Sequence, residues 1–193
     1  MQHSNKEDSY EMATHLSVSM DNVLSQLKQI TTFVFDVDGV LTDGTVLLLE
    51  NGLQARKMHI KDGLALQMAM KNGYRVVVIS GSYSEPVVNR LQYLGIEEVF
   101  MAVKDKKELL ENFIKDRNLQ WKEILFMGDD LPDIPVLQKA GVSCCPADAV
   151  PEVKQSSMYI STINGGYGCV RDVIEKVLKL NDHWKFSVDI TSK

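Results

Sequence analysis

The chain has 193 residues, 45% of them hydrophobic and 24% charged, with a net charge of −5 and a pI near 5.4. That balance suits one globular domain with a core of its own, and it argues against a general binder of nucleic acid or of an anionic membrane, since both need a basic surface. No apolar run reaches the roughly 18 residues of a membrane span.

Residues 1–29 read as an N-terminal extension. It opens on the polar stretch MQHSNKEDSYEMATHLSVSM, which has neither the basic nor the apolar segment of a secretory leader, so a cytoplasmic protein is expected. Cys144, Cys145 and Cys169 form no CxxC pair and fit that compartment as buried thiols. From Val18 onward, Met20, Val23, Leu24, Leu27 and Ile30 fall at helical spacing, which predicts an amphipathic helix packed outside the main fold.

Residues 30–180 read as the main domain. TTFVFD, YRVVVIS, EEVFMAV, EILFMG, VSCCP and MYIST have the β-branched and aromatic make-up of strands. DGLALQMAMKNG, SEPVVNRLQYLG, DKKELLENFIKDRN, LPDIPVLQKAG, AVPEVKQS and CVRDVIEKVLKL read as the helices between and after them. Alternation of this kind predicts an α/β fold, a parallel sheet covered by helices on both faces in a Rossmann-like three-layer arrangement. Asp62 is expected to cap the helix that follows it, Gly73 and Gly95 to close helices in the left-handed conformation, and Pro86 to sit in a first turn.

TVLLLENGLQARKMHI, residues 45–60, breaks the rhythm. Two extended runs flank Asn51-Gly52, the dipeptide best suited to a two-residue type I′ turn, so a β-hairpin is expected. Leu47, Leu48 and Leu49 in succession cannot all face one side of a ribbon. Either the hairpin lies against another subunit, or it folds back on its own domain. Residues 181–193 form a tail in which Trp184 and Phe186 either pack on a neighbour or hang free.

In an open parallel sheet, ligands sit beyond the carboxyl ends of the strands. There the sequence places Asp36 and Asp38, then Ser80 and Gly81, then Asp129, Asp130 and Asp133, with Lys104, Lys106 and Lys107 on the same rim. Clustered carboxylates need a cation, and hard oxygen ligands in this number point to Mg²⁺. Ca²⁺ prefers a compact DxDxDG loop with a later Glu, and Zn²⁺ prefers His and Cys, so neither suits DVDGVLTDG. A single DxD pair carries little weight, because acids after strands often only cap or solvate loops. DVDGVLTDG, VVVISG, a Lys opening a helix and ILFMGDDLPD, in that order after successive strands, carry more.

Those four segments resemble the motifs of the haloacid dehalogenase superfamily of phosphohydrolases, over about residues 30–180. IKDGLALQMAMKNGY, the hairpin and STINGGYGCVRDVIEKVL resemble its capless branch, which acts on 3-deoxy-D-manno-octulosonate 8-phosphate and related sugar-acid phosphates. The resemblance implies a haloacid dehalogenase fold with a hairpin insert and no cap domain. It implies that Asp36 is the nucleophile that forms an aspartyl-phosphate, and that Asp38 is the acid and base. Ser80 and the Gly81 N–H would bind phosphoryl oxygens, and Lys106 would neutralise their charge. Mg²⁺ would be held by Asp36, the Asp38 backbone carbonyl and Asp129, with Asp130 and Asp133 behind them. Lys106 matches the family's Asp-Lys helix opening, although Lys104 and Lys107 are close enough to compete with it.

The resemblance also implies a homotetramer with central hairpins, in which NGGYGCVRD covers a neighbour's active site and Arg171 offers a fork for an anion. The alternative is an ordinary loop with Arg171 on a solvated face. Ser82 stands where the family often has a basic residue, so Arg56, Lys61 or Arg90 would take over substrate contacts. A small phosphorylated sugar acid and a second copy of the chain are thus the expected partners, in lipopolysaccharide precursor synthesis. A phosphatase for a nine-carbon ulosonate phosphate or another small phosphoester, and a non-catalytic oligomerisation module, are the other readings.

Overall fold

A computed structural model describes residues 23–185. The expected features at Val18, Met20 and Phe186, and the polar stretch before them, lie outside the described residues. Residues 23–28 form the helix α1, with Leu27 and Ile30 buried against the main core.

Six parallel strands make the central sheet: β1 (Thr32–Phe35), β4 (Arg75–Ile79), β5 (Glu98–Phe100), β6 (Ile124–Met127), β7 (Val142–Cys145) and β8 (Tyr159–Ile160). Their spatial order is β5-β4-β1-β6-β7-β8. The chain thus moves outward from β1 to β5, then returns to β6 on the other side and runs to β8. That reversal opens a crevice between the ends of β1 and β6, the place where such sheets bind ligands.

Strand alternation builds the two cores. Phe33 and Phe35 of β1, with Val76 and Val78 of β4, face α2 (Ile60–Lys71), α3 (Glu85–Tyr93) and α7 (Cys169–Leu180). Val34, Val77 and Ile79 face α4 (Lys106–Asp116), α5 (Ile134–Leu137) and α6 (Pro151–Ser156). A strand buried on both faces has no solvated side to show, which is why all four residues of β1 are buried and none of them is charged. The three-layer α/β arrangement is the one expected. Gly73 and Gly95 do lie at positive φ, and Pro86 does lie in the first turn of α3.

Three local expectations are corrected. The hairpin, β2 (Leu47–Leu48) with β3 (Gln54–Ala55), turns through three residues rather than two. Leu49 N–H donates to the Leu53 carbonyl at 2.9 Å and Gly52 N–H to the Leu49 carbonyl at 2.9 Å, with φ +81 at Gly52. A type I′ turn needs positive φ at both central residues, whereas here Gly52 alone supplies it, in a type I turn closed by a bulge. Secondly, LPDIPVLQKAG is a 3₁₀ turn at Leu131–Asp133 followed by the four-residue α5, because Pro132 and Pro135 each remove a donor. Thirdly, α2 starts before Asp62, which lies inside its first turn and accepts the Arg171 N–H at 2.7 Å, near the start of α7.

Trp184 does not hang free: it packs on the main core and under the Arg171 guanidinium, 5.3 Å from its ring centre. The hairpin's leucines are not covered by their own domain, since Leu47, Leu48 and Leu53 are 63%, 73% and 62% exposed. Among the described residues, no helix is long and apolar enough to cross a membrane.

Candidate active site

The chain leaves β1 with the Asp36 N–H donating to the Met127 carbonyl at 3.0 Å, which ties the end of β1 to that of β6. It then makes a wide turn over Val37–Leu41, closed by the Thr42 N–H on the Val37 carbonyl at 2.9 Å. Gly39, at φ +87, is required there twice over. Positive φ disfavours a side chain, and a Cβ would fall 2.0 Å from Asp129 Oδ2.

Lys106, at the first position of α4, sends its ammonium between two carboxylates. Nζ lies 2.8 Å from Asp36 Oδ1 and 2.7 Å from Asp133 Oδ1, and all three residues are buried. Lys104 is exposed and Lys107 pairs with Glu111 on the helix surface, so Lys106 alone of the three reaches the aspartates. The second oxygen of Asp133 accepts the N–H groups of Asp129 and Asp130 at 3.0 and 3.4 Å. Gly128 has to lack a side chain, because a Cβ would meet the Asp133 carboxylate at 2.4 Å. Asp130 is exposed and accepts the Leu131 N–H at 2.8 Å, which caps the short turn after β6.

Burial and the charge of Asp133 push Asp36 above the ordinary carboxylate range, against the pull of Lys106. Lys106 goes up as well: burial opposes its charge, but the two carboxylates facing it prevail. Asp129 has no such ammonium. Burial, then Asp36, Asp133 and Asp130, raise it to about 8. Its Oδ1 is buried without a hydrogen-bond partner. One carboxylate oxygen from each of Asp36, Asp129 and Asp133 lies within 4.8 Å of the others. An orphaned buried oxygen beside two more carboxylates fits a hard cation. Asp133, already saturated by Lys106 and two N–H groups, fits the role of a bracket rather than a ligand.

Asp38 is gripped from outside this cluster. Arg56, just after β3, donates from Nε to Oδ1 at 2.7 Å and from Nη2 to Oδ2 at 3.4 Å. Ser82 Oγ donates to Oδ2 at 2.6 Å, and Ser80 Oγ lies 3.2 Å from Ser82 Oγ. Burial would raise Asp38, but these donors hold it below the ordinary range. Ser80 is buried and Gly81, next to it, is exposed. Ser82 and Thr42 had no expected part here, and their signal, a hydroxyl in a loop, is too common to read from sequence.

Three expected substrate contacts are not with the aspartates. Lys61 and Arg171 line a separate cavity of about 390 Å³ with His59, Ile163, Tyr167 and Gly168. Arg171 also pairs with Glu175 at 3.1 Å. Arg90 reaches to Gly63 of α2 and over the Tyr93 ring. Arg56 does reach the site, but its side chain is only 7% exposed and its guanidinium is taken up by Asp38. The GGYG segment, expected either over a neighbour or as a plain loop, braces its own chain's turn. Gly166 N–H donates to the Val40 carbonyl at 2.9 Å, and a Cβ on Gly165 would lie 1.8 Å from the Gly39 carbonyl oxygen.

A family model described as haloacid dehalogenase-like hydrolase matches residues 52–141. The 3-deoxy-D-manno-octulosonate 8-phosphate phosphatase of Escherichia coli K12 is 31% identical over 161 residues, 83% of this chain and 85% of that one. The chain belongs to the haloacid dehalogenase-like hydrolases. It is a phosphatase that resembles the octulosonate 8-phosphate enzymes. The crystal structure of that enzyme from Moraxella catarrhalis, in complex with magnesium, phosphate and the sugar acid, is 32% identical. It superposes with a TM-score of 0.82 over 85% of this chain and 95% of that one. A cobalt-bound relative from Haemophilus influenzae is 30% identical, with a TM-score of 0.78 over 81% and 92%. Family members of this kind thus hold a divalent metal, and the acidic cluster here is of the matching type.

Proposed function

We propose that the protein is a Mg²⁺-dependent phosphomonoesterase that works through an aspartyl-phosphate on Asp36 and hydrolyses 3-deoxy-D-manno-octulosonate 8-phosphate. The observation that carries this is the buried Asp36–Lys106–Asp133 chain at the β1/β6 crevice, beside the unpartnered Asp129 oxygen. Carboxylates are common, but a carboxylate held by an ammonium and set at the switch point of the sheet suits attack on an anion.

The Asp36 carboxylate attacks phosphorus, the ester bond breaks, and the leaving oxygen takes a proton from Asp38. Water then attacks the aspartyl-phosphate with Asp38 as base, which frees phosphate and restores Asp36. Lys106 holds Asp36 in place and offsets charge on the phosphoryl oxygens, while Ser80 and the Gly81 N–H bind those oxygens. Asp36, the Asp38 backbone carbonyl and Asp129 would hold Mg²⁺, which when bound lets an anionic nucleophile approach an anionic ester. Asp133 fixes Lys106 and the turn that carries Asp129.

Similarity to the octulosonate phosphatases supports the substrate, and with it a place in lipopolysaccharide precursor synthesis. The exposed leucines of the hairpin support a homotetramer, and three buried free thiols fit the cytoplasm. The test is Mg²⁺-dependent phosphate release over eight- and nine-carbon sugar-acid phosphates, with Asp36→Asn beside it. Wild type should exceed Asp36→Asn by at least about a thousandfold, since a carboxamide keeps the shape and loses the nucleophile. Equal release by the two proteins would remove the enzyme mechanism, and preference for another ester would change only the substrate.

A further inference from the structure

Asp38 is held by donors on both of its carboxylate oxygens. Arg56 supplies two N–H groups, at 2.7 Å to Oδ1 and 3.4 Å to Oδ2. Ser82 Oγ supplies a third donor at 2.6 Å to Oδ2, and Thr42 Oγ1 stands 3.5 Å from Oδ1. Arginine can only donate, and a carboxylate that accepts from its fork and from a hydroxyl has three of its roughly four lone-pair sites taken, so its orientation is fixed while a site stays open for an incoming proton.

The two partners also differ in access. The Asp38 side chain is 34% exposed, whereas the Arg56 side chain that holds it is only 7% exposed. A guanidinium so placed meets the carboxylate and not an arriving ester. Its mooring is equally specific. Arg56 follows β3 at the root of the hairpin, and the next residue, Lys57, pairs with Asp43 at 2.8 Å. Two consecutive cations thus fasten the return strand of the hairpin to the loop that carries the aspartates, and a bridge between Thr42 and Met58 adds backbone pairing.

We propose that Arg56 is a positioning residue, which acts through Asp38 and holds that carboxylate as an aimed proton acceptor for the water-attack half of the reaction, without touching the substrate. The inference rests on the aspartyl-phosphate mechanism above. In that half, the water oxygen bonds to phosphorus and its proton passes to Asp38. The bond from phosphorus to Asp36 breaks with its electron pair on Asp36, and inorganic phosphate leaves. Ser82 serves the same end. Standing where a basic residue would otherwise approach the substrate, it gives its hydroxyl to Asp38.

The role predicts which step fails. In Arg56→Met, kcat on 3-deoxy-D-manno-octulosonate 8-phosphate and on p-nitrophenyl phosphate should fall by roughly ten- to a hundredfold, a part of the usual worth of a general base. KM should fall with it, because the phosphorylated enzyme builds up when its breakdown is slowed. Acid quenching during turnover should therefore recover more aspartyl-phosphate from Arg56→Met than from wild type. Arg56→Lys should recover part of the loss, since it keeps the charge but not the fork, and Ser82→Ala should move kcat and KM in the same sense by less. A raised KM with kcat intact would make Arg56 a substrate contact and overturn the proposal. A loss of kcat without extra aspartyl-phosphate would do the same. Should Arg56→Met fail to fold, Ser82→Ala reads the same quantities. Asp36→Asn in the same assay separates the two levels: equal release by it and wild type removes the mechanism itself, whereas the Arg56 outcomes bear on Arg56 alone.

Discussion

The acidic crevice and the hairpin both break the rule that charge faces water and leucine avoids it, and they break it in opposite directions. At the crevice, Asp36, Asp133 and Lys106 are buried. On the hairpin, Leu47, Leu48 and Leu53 are exposed. The first violation is answered almost wholly within the chain, since Lys106 bridges both carboxylates and Asp133 also takes two N–H groups. The second is not answered there. Two strands of two residues cannot hold themselves in water, and what keeps this ribbon in place is its polar root at Arg56 and Lys57, not its leucines. A buried charge with partners is where perturbed chemistry concentrates, while an exposed apolar ribbon with none is the face that the proposed assembly would cover.

The sharpest way to break the first half of that contrast is Lys106→Met. It leaves Asp36 and Asp133 buried and facing each other without the cation, and removing one member of a buried ion pair costs roughly 3–5 kcal/mol. Chemical denaturation without metal should show a loss of that order, together with loss of phosphatase turnover. A loss under about 1 kcal/mol would mean that the carboxylates are not held by Lys106 at all.

Asp129 offers the next test, because it is the one acid of the crevice that the chain leaves without an answer. If a cation answers it, Mg²⁺ at a hundred times its dissociation constant should stabilise the folded protein by about 2.7 kcal/mol. Thermal unfolding with and without Mg²⁺ measures this, and in Asp129→Asn the shift should shrink to a third or less. Equal shifts in the two proteins would place the metal elsewhere.

What could be read from the sequence divides along the same line. The strands, the switch point and the spacing of Asp36, Asp38 and Asp129 are local or periodic, so the alternation of apolar runs and polar ends carries them. The grip of Arg56 on Asp38 spans 18 residues and a hairpin, and nothing in the run QARKMH says which way a guanidinium turns. Gly39 and Gly128 look like any loop glycines, although each leaves room for a particular carboxylate. The GGYG segment announces close approach, but not that the backbone it approaches is its own Gly39 to Asp43 turn. The turn at Gly52 is one residue longer than its sequence suggests, because Asn51-Gly52 serves two turn types and only the φ of Asn51 separates them.

The smallest expected effect on folding, and the one that tests the other half of the contrast, is Leu48→Glu. Leu48 is 73% exposed and belongs to neither buried core, so its replacement should change the stability of the isolated chain by no more than about 0.5 kcal/mol. A carboxylate put into an apolar interface between copies is another matter, since it must be desolvated without a partner. Light scattering should therefore give wild type a multiple of the 21.7 kDa chain mass and Leu48→Glu a lower one. Because Arg56 and Lys57 moor the hairpin independently of its tip, the freed chain should keep its Asp38 geometry and hence much of its kcat on p-nitrophenyl phosphate. An unchanged mass would mean that the leucines face water by design, and the contrast between a satisfied crevice and an unsatisfied ribbon would fall.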